Sequence, residues 1–474
     1  MLKQIDDYRF LLTKDHRPGM TVEGMVYANE KLIESIKADK TLEQIANSAT
    51  LPHLVGRALA MPDAHQGYGF CIGAVVATDT EDGIVSAGAV GYDINCGVRL
   101  LSSDIHKEDA VKYAKFLADK LFRTIPSGTG VGSQIKLNKT KLDDVLRLGA
   151  KWGVENGYGY PEDVLHIEEC GTMPGAKPEF VSQRAKERGG DQLGTLGSGN
   201  HFIEIQYVEE IFDEETASKF GLTKDSLTVM VHTGSRGLGH QVCTDYLELM
   251  QDAMKRYKIS AVDRELAYVP IHSPEGEKYI GAMNAAANFA FANRQIISHF
   301  VREAFHEFFP NNRLKVVYDV VHNMAKFEDY NINSISKRVL VHRKGATRAF
   351  PKKYPGLPED YKEVGQPVLI PGSMGTSSYV LVGTELTIRE TFGSSCHGAG
   401  RRMSRHKAKK LISAEELIRQ LSSMGITARG ASKSGLTEEM PDAYKDVSEV
   451  VNVVHNAGLA RRVARMKPIV VVKG

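Results

Sequence analysis

The spacing of apolar side chains predicts three helices in this chain. Residues 107–122 (KEDAVKYAKFLADKLF) begin with acidic positions and bring together one apolar face, made of Val111, Ala114, Phe116, Leu117 and Leu121. Residues 281–309 are rich in alanine in their first half and stop before Pro310, which predicts a buried scaffold helix. Residues 411–424 (LISAEELIRQLSSM) predict a third helix with one apolar side.

Short runs of β-branched residues bounded by glycine predict strands between these helices. The runs are residues 74–77, 228–231, 315–321, 338–341, 368–370, 379–382 and 469–472. Strands and helices mix without strict alternation, so the expected fold class is α+β, a mixed α/β arrangement of central sheets flanked by helices. No long repeat and no long linker tract occurs, so residues 1–474 are expected to form a single domain.

Composition and charge narrow the class of protein. The chain is 42% hydrophobic and 25% charged, and no apolar run approaches the roughly 18 residues of a membrane span. The first 20 residues lack the features of a secretion signal, so a cytoplasmic protein is expected. Lys+Arg number 60 against 58 Asp+Glu, which predicts neither a generally basic nor a generally acidic surface. The five cysteines show no C-x-x-C spacing, which excludes a disulfide framework and a Cys-paired zinc ribbon.

One candidate site is a metal centre. Asp93 and Cys96 lie three residues apart in GYDINCG, where a tight loop would let both bind one ion or two adjacent ions. His201, His232 and His322 each lie at the boundary of a predicted strand, and neutral imidazole is the commonest protein metal ligand. A single such histidine is more often structural, but three beside an unpaired thiol favour a metal site. Ligand softness alone favours zinc, although Asp93 also suits harder ions such as manganese.

A second candidate site surrounds His397 in GSSCHGAGRRMSRHKAKK. Small neighbours let a bulky ligand approach the ring, and six Lys/Arg within residues 401–410 offer charge to phosphates. The alternative is a loop followed by a solvated basic helix. Glycine-rich residues 194–200 and 371–378 could present backbone N–H groups to a nucleotide. A P-loop and a K-x-D-G nucleotidyl-lysine motif are both absent, so covalent nucleotide chemistry here would need a nucleophile other than the usual lysine.

Eight segments of the sequence together resemble the RtcB family of RNA ligases. They are DAHQGYGFCIGAVVA, GYDINCGVRL, GSGNHFIEIQ, VHTGSRGLGH, YDVVHNMAKFE, VHRKGATRAFP, PGSMGTSSYVLVG and CHGAGRRMSR. The resemblance runs from about residue 61 to residue 474, and residues 1–60 are the least diagnostic part. It implies a large RtcB-type domain with a deep metal and nucleotide cleft. The implied activity joins RNA 3′-phosphate or 2′,3′-cyclic phosphate ends to 5′-hydroxyl ends, with GTP and two Mn²⁺ ions, in tRNA splicing and RNA repair. RNA and an archease-type activator are the implied partners.

The resemblance also implies roles for single residues. His397 would take GMP from GTP, and imidazole suits this role because it is largely neutral at pH 7, whereas lysine needs a lowered pKa. Cys96 would bridge two manganese ions, one completed by His201 and His232 and the other by Asp93 and His322. The implied nucleotide contacts are Asn200, Glu204, Asn323, Pro371, Gly372, Ser373, Met374, Ser378, Gly398, Ala399, Gly400, Tyr444 and Lys473, and the implied RNA-phosphate contacts are Arg236, Lys344 and Arg405.

Two other functions remain open at this point. A manganese-dependent phosphoesterase or RNA end-capping nucleotidyltransferase would use the same groups and stop before joining. A non-catalytic RNA-binding subunit could keep the fold alone. The combination of His397, Cys96 and Asp93 argues against that subunit, since it would have no need of them.

Overall fold

The computed structural model describes residues 1–332 and 334–474. The strands are β1 (Leu2–Asp6), β2 (Arg9–Leu12), β3 (Gly24–Tyr27), β4 (Leu54–His65), β5 (Ile72–Asp79), β6 (Ile84–Val85), β7 (Gly97–His106), β8 (Phe202–Ile211), β9 (Ser226–Thr233), β10 (Val269–Pro270), β11 (Lys315–Val321), β12 (Asn323–Ile332), β13 (Ile335–Lys344), β14 (Ala346–Arg348), β15 (Pro367–Ile370), β16 (Ser378–Gly383), β17 (Ser394–Cys396), β18 (Thr427–Gly430) and β19 (Ala460–Lys473). The α-helices are α1 (Glu30–Lys37), α2 (Thr41–Ser48), α3 (Lys107–Thr124), α4 (Lys139–Leu148), α5 (Ala150–Glu155), α6 (Gln183–Gly189), α7 (Glu214–Lys219), α8 (Arg236–Tyr257), α9 (Pro274–His306), α10 (Glu385–Glu390), α11 (Arg405–Ala408), α12 (Ala414–Ser423), α13 (Lys433–Glu438) and α14 (Val447–Asn456).

Two large sheets and two small ones organise these strands. A seven-stranded sheet has the order β1-β2-β3-β4-β5-β13-β12, and an eight-stranded sheet has the order β11-β7-β9-β8-β19-β16-β15 with β18 added beside β19. The pairs β6/β10 and β14/β17 form the small sheets. Pairing is antiparallel except for β3/β4 and β18/β19. The expected α+β class is therefore confirmed.

The predicted strands all lie within observed strands, and the predicted helices need three corrections. Helix α3 forms as expected, but Val111 and Phe116 are 56% and 60% exposed. Its buried face is instead formed by Ala110, Ala114, Leu117, Ala118 and Leu121. Helix α9 begins at Pro274 rather than near residue 281, because the Ser273 side chain caps its first turn and proline is favoured there. Helix α12 is shorter than predicted, since Ser413 caps its start.

The long helix α9 is the centre of the packing. Its alanines are buried against neighbouring helices and against the eight-stranded sheet, as expected for a scaffold helix. It also buries polar side chains that hold loops: Asn293 Oδ1 accepts hydrogen bonds from the backbone N–H groups of Gly194 and Thr195, at 2.7 and 3.1 Å. None of the helices in residues 1–332 and 334–474 combines the length and apolar character needed to cross a membrane.

Strand register brings several loops together at one end of neighbouring strands in the eight-stranded sheet. Gly97 at the start of β7 pairs with Thr233 at the end of β9 and with Val321 at the end of β11. Phe202 at the start of β8 pairs with His232. The residues flanking these positions are therefore forced together. His322 lies between β11 and β12, so it stands where the two large sheets meet.

Candidate active site

Five predicted ligand side chains meet at these strand ends. Cys96 Sγ lies 3.5 Å from His201 Nε2 and 3.3 Å from His232 Nε2. The Nε2 atoms of His232 and His322 are 3.4 Å apart, and Asp93 Oδ2 lies 2.8 Å from His201 Nε2. One thiol, three imidazoles and one carboxylate thus converge, a donor set that fits divalent transition metals.

The five ligands divide into two groups that share Cys96. The atoms of Asp93, Cys96 and His201 lie within 4.8 Å of one another, and so do those of Cys96, His232 and His322. This division differs from the expected one, which combined His201 with His232. The reason is the orientation of Asp93: its Oδ1 accepts a hydrogen bond from the Ser235 N–H at 3.0 Å, which places the carboxylate beside His201.

Buried groups behind the ligands hold their loop in place. Arg294 on α9 is fully buried and donates to the carbonyl oxygens of Asn95 and Thr233, at 2.9 Å each. Its charge is paired with Asp319, which also accepts a hydrogen bond from Arg99 at 2.8 Å. These contacts fix the backbone on both sides of the ligand cluster.

Burial sets the protonation of the ligand groups. It lowers the pKa of His232 and His322 well below the ordinary histidine value, so both rings are neutral ligands. Burial and the adjacent Asp93 raise the pKa of the Cys96 thiol well above its usual value. Although burial opposes ionisation of Asp93, the hydrogen bond with His201 holds its pKa at about 2. A cation is therefore the group that would convert Cys96 to a thiolate.

His397 stands beside this cluster and is paired with a buried carboxylate. Its ring centroid is 4.8 Å from that of His322, and its Nδ1 lies 2.6 Å from Asp63 Oδ2. The same oxygen accepts the backbone N–H groups of His397 and Gly398, at 3.0 and 3.2 Å. Although burial opposes ionisation of Asp63, the His397 ring holds its pKa below the ordinary value. Lys445 Nζ donates to the carbonyls of Pro62 and Ala64, on either side of Asp63.

A cleft of about 840 Å³ connects His397 with the ligand cluster and with most of the predicted nucleotide contacts. The predicted residues that line it are Asp93, Cys96, Asn200, Glu204, His232, His322, Asn323, Lys344, Pro371, Gly372, Ser373, Met374, His397, Gly398, Ala399, Gly400, Arg405, Tyr444 and Lys473. His201, Arg236 and Ser378 lie outside the lining. Ser378 Oγ instead accepts the Gly372 N–H at 3.1 Å and supports the lining from behind.

One end of the cleft carries a buried cationic and aromatic cluster. The Glu439 carboxylate accepts hydrogen bonds from Tyr444, from Arg401 at 3.2 Å and from Arg405 at 3.1 Å, and Lys473 Nζ lies 4.0 Å away. Although burial opposes ionisation of Glu439, these cations hold its pKa below the ordinary value. The guanidinium of Arg401 lies over the Tyr444 ring at 5.0 Å.

Glu204 is a second carboxyl of the cleft, close enough to Lys473 to interact with its charge. It is buried at the cleft wall, and its Oε2 accepts a hydrogen bond from Gln206 Nε2 at 2.8 Å. Burial raises the pKa of Glu204 to about 8. Gln206 also donates to Ser378 Oγ at 2.9 Å, which ties Glu204 to the loop that follows β15.

Two predicted contact residues use their polar atoms within the protein. Lys344 is buried, and its ammonium donates to the carbonyls of Tyr68 and Gly88 at 2.9 and 3.0 Å. Asn323 donates to the carbonyl of Asp93 at 3.1 Å and accepts the Gly345 N–H at 2.8 Å. Lys344 therefore supports the cleft wall rather than offering an exposed charge to RNA, and Asn323 positions the loop that carries Asp93.

Asp63, Lys445 and Glu439 received no role from the sequence, and Arg401 was expected only as one of six basic residues that offer charge to phosphates. Asp63 lies in the segment DAHQG, which contributed to the resemblance without receiving a role. Its partner His397 is 334 positions away, so only the folded chain shows the pairing. Glu439 had no signal beyond an acidic residue near Tyr444.

The fold and the site together define a class: an α+β protein with two candidate metal-ligand groups that share one thiol, a histidine paired with a carboxylate and a cleft lined by cationic side chains. A family model described as "tRNA-splicing ligase RtcB" matches residues 44–474. The protein belongs to the RtcB family, as the sequence resemblance predicted.

Curated relatives match over the full chain. The tRNA-splicing ligase RtcB of Thermococcus kodakarensis is 54% identical over 478 residues, covering 100% of this chain and 99% of the relative. Proteins of the same name from Archaeoglobus fulgidus and Methanococcus maripaludis are 50% and 49% identical, covering 100% and 99% of this chain and 99% of each relative.

Proposed function

We propose that this protein is a GTP- and manganese-dependent RNA ligase that joins 3′-phosphate or 2′,3′-cyclic phosphate ends to 5′-hydroxyl ends in tRNA splicing and RNA repair. Family membership supports an RNA ligase of tRNA splicing. The observation that carries the chemical proposal is the position of His397, which contacts the metal ligand His322 on one side and Asp63 on the other.

Asp63 prepares His397 to act as a nucleophile. With Nδ1 held against the carboxylate at 2.6 Å, the free Nε2 is the atom that attacks the α-phosphorus of GTP. The Nε2–P bond forms as the bond from phosphorus to the leaving pyrophosphate oxygen breaks. Asp63 stabilises the positive charge that develops on the ring. A Cβ at position 345 would lie 3.0 Å from His397 Cε1, so Gly345 leaves room beside the reacting ring.

The proposed base site lies between Glu204 and Lys473, with Tyr444 beside it. Guanine offers N–H donors at N1 and N2 and an acceptor at O6, which suit a carboxyl group and an ammonium respectively. Adenine presents an amino group that cannot accept from the Lys473 ammonium, and its unprotonated N1 pairs with Glu204 only while that carboxyl keeps its proton. Tyr444 offers a ring for stacking. Asn200 and residues 371–374 complete the proposed nucleotide contacts, with Ser378 supporting that loop.

The ligand cluster would hold two divalent ions. Asp93, Cys96 and His201 would hold one, and Cys96, His232 and His322 the other. Ions bound there neutralise charge on phosphate oxygens and promote deprotonation of a water or hydroxyl nucleophile. Manganese is our choice of metal because of the family likeness, since ligand softness alone favours zinc.

RNA would approach through its phosphates. Arg236 and Arg405 flank the ligand cluster and the nucleotide end respectively, and both can pair with phosphate in a bidentate manner. Because such contacts follow the backbone rather than the bases, RNA affinity is expected to fall with salt and to show little sequence preference.

The proposed reaction continues in two displacements after any cyclic phosphate is hydrolysed. An oxygen of the RNA 3′-phosphate attacks the phosphorus bound to His397, the P–N bond breaks, and GMP is transferred to the RNA end as a diphosphate. The 5′-hydroxyl oxygen of the second RNA then attacks the RNA-side phosphorus. A phosphodiester forms and GMP leaves with the bridging electrons. Activation precedes joining because an unactivated phosphate has no adequate leaving group.

Product analysis separates this function from the capping alternative. An RNA with a 2′,3′-cyclic phosphate and an RNA with a 5′-hydroxyl are incubated with the protein, GTP and manganese, and the products are resolved by size. A joined strand supports the ligase. A guanylylated 3′ end without joining, or phosphate removal alone, contradicts it. The archease-type activator stays a prediction, tested by repeating the reaction with a purified archease.

A further inference from the structure

A row of three aromatic rings runs from the mouth of the cleft onto the adjacent surface. Tyr68 and Tyr92 line the cleft, and their ring centroids are 6.0 Å apart in an edge-to-face arrangement. Tyr92 stacks on His240, with centroids 4.9 Å apart and ring planes 28° from parallel. Tyr68 is 66% exposed, which is unusual for a ring at the wall of a site. We call Tyr68, Tyr92 and His240 the aromatic row.

The backbone under Tyr68 is fixed although its ring is exposed. The Gln44 amide group clamps Gly67, donating to its carbonyl at 2.7 Å and accepting its N–H at 3.0 Å. The buried ammonium of Lys344 donates to the Tyr68 carbonyl at 2.9 Å. A ring on a rigid loop loses little conformational entropy when a ligand covers it. Little of the favourable free energy of ligand binding is therefore offset.

Positive charge accompanies the aromatic row. Arg236 is the first residue of α8, and its guanidinium lies close enough to interact with the charge of Asp93, the residue that follows Tyr92. Arg188 donates to Gln241, the neighbour of His240, at 2.7 Å. Rings that offer a face for stacking, next to arginines that bind phosphate, are the combination that holds single-stranded nucleic acid.

We propose that the aromatic row is a stacking site for an unpaired base near the reacting end of the RNA. Tyr92 directly precedes the ligand Asp93, so a base on the row belongs to the first few nucleotides of that end. Every base has a face for stacking, so the site selects for unpaired ends and accepts any sequence. The inference rests on the proposed RNA ligase function and deepens it.

The test removes the ring and the base separately and together. Single-stranded RNAs carrying an abasic nucleotide at each of the first four positions from the end are compared with intact RNA, on the 3′-phosphate strand and then on the 5′-hydroxyl strand. Binding is measured by fluorescence anisotropy for wild type, Tyr68→Leu and Tyr68→Trp. Leucine keeps apolar bulk without an aromatic face, and tryptophan keeps the face. Tyr257→Leu is the matched control, since Tyr257 is 42% exposed and lies outside the cleft.

We expect the losses of RNA affinity caused by removing the Tyr68 ring and by removing the stacked base to be non-additive. In wild type, Tyr68→Trp and Tyr257→Leu, removing the stacked base weakens binding about tenfold. In Tyr68→Leu, binding of intact RNA is about tenfold weaker and removing that base costs nothing further. Losses that add independently at every position of both strands would overturn the stacking site, as would unchanged RNA binding by Tyr68→Leu. Wild-type protein that binds these RNAs but joins none in the ligation assay contradicts the proposed function, while the coupling still decides the stacking site.

Discussion

His397 and Asp63 form the pair on which the proposed chemistry depends. The 2.6 Å contact between His397 Nδ1 and Asp63 Oδ2 leaves Nε2 as the free ring nitrogen. The buried carboxylate stabilises the positive charge of a cationic ring. In the candidate metal site the central residue is Cys96, since it belongs to both possible ligand groups.

Replacing His397 removes the nucleophile. We expect wild-type protein incubated with α-³²P-GTP and manganese to acquire an acid-labile label, and His397→Ala to acquire none. The measurement is radioactivity retained on denatured protein. His16→Ala, which changes an exposed histidine, should label as wild type does. Normal labelling of His397→Ala would show that another residue takes the nucleotide.

Replacing Cys96 removes the ligand that both groups share. Cys96→Ala should lose both ions, because each group falls to two protein ligands. Elemental analysis of protein purified after manganese loading gives the metal content. Cys243→Ala is the control, because Cys243 is also buried but lies outside the ligand set. Two retained equivalents in Cys96→Ala would refute a shared thiolate.

Glu204 predicts a pH dependence of stability. Its folded pKa of about 8 lies above its ordinary value of 4.5, so the folded protein keeps a proton that the unfolded chain has lost. The contribution of Glu204 to the free energy of unfolding is therefore fully present below about pH 4.5. It declines by about 1.4 kcal/mol per pH unit as the pH rises towards 8.

Glu204→Gln should remove this dependence, because a neutral amide does not titrate. Relative to wild type, its melting temperature should rise progressively between about pH 5 and pH 8. Glu303→Gln, on the exposed side of α9, controls for general charge effects. A constant difference between Glu204→Gln and wild type across this range would contradict the raised pKa.

Helix α9 is the element that connects stability with the site. It buries Arg294 behind the ligand loop, where the guanidinium satisfies two carbonyls and pairs with Asp319. The same helix holds residues 194–195 through Asn293, close to His201. Distortion of α9 would therefore displace the loops that carry the candidate metal ligands.

Arg294→Met leaves a buried carboxylate and two carbonyls short of donors. We expect unfolding free energy to fall by about 3–5 kcal/mol, measured by urea denaturation, together with weaker metal binding. Arg256→Met, which breaks an exposed ion pair with Glu275, should cost no more than about 1 kcal/mol. Equal losses in the two variants would contradict the scaffold role of α9.

Across the chain, the local sequence predicted strands better than helix ends. Runs such as residues 315–321 and 469–472 are buried on both faces and carry their own signal, whereas α9 begins at a cap that the alanine pattern did not reveal. Periodicity predicts Val111 and Phe116 on the buried face of α3, but both are exposed, because periodicity alone cannot say which apolar residues meet a neighbouring element.

The candidate site could be predicted only where residues carry a motif. The ligands and His397 stand in recognisable segments, and the structure brings them together. The division of the ligands, the Asp63 contact and the Glu439 cluster depend on packing between distant segments, which no local pattern records. That residues 1–474 form a single domain stays a prediction.

The fate of two labelled phosphates tests the proposed ligase most directly. One reaction carries ³²P in the 3′-phosphate of the donor RNA, and a parallel reaction carries it in the α-phosphate of GTP, each with a 5′-hydroxyl RNA and manganese. For the proposed ligase, we expect that the first label is retained in the new phosphodiester and resists phosphatase, while the second is released as GMP. A joined strand carrying the GTP phosphate, or joining without GTP, would contradict it.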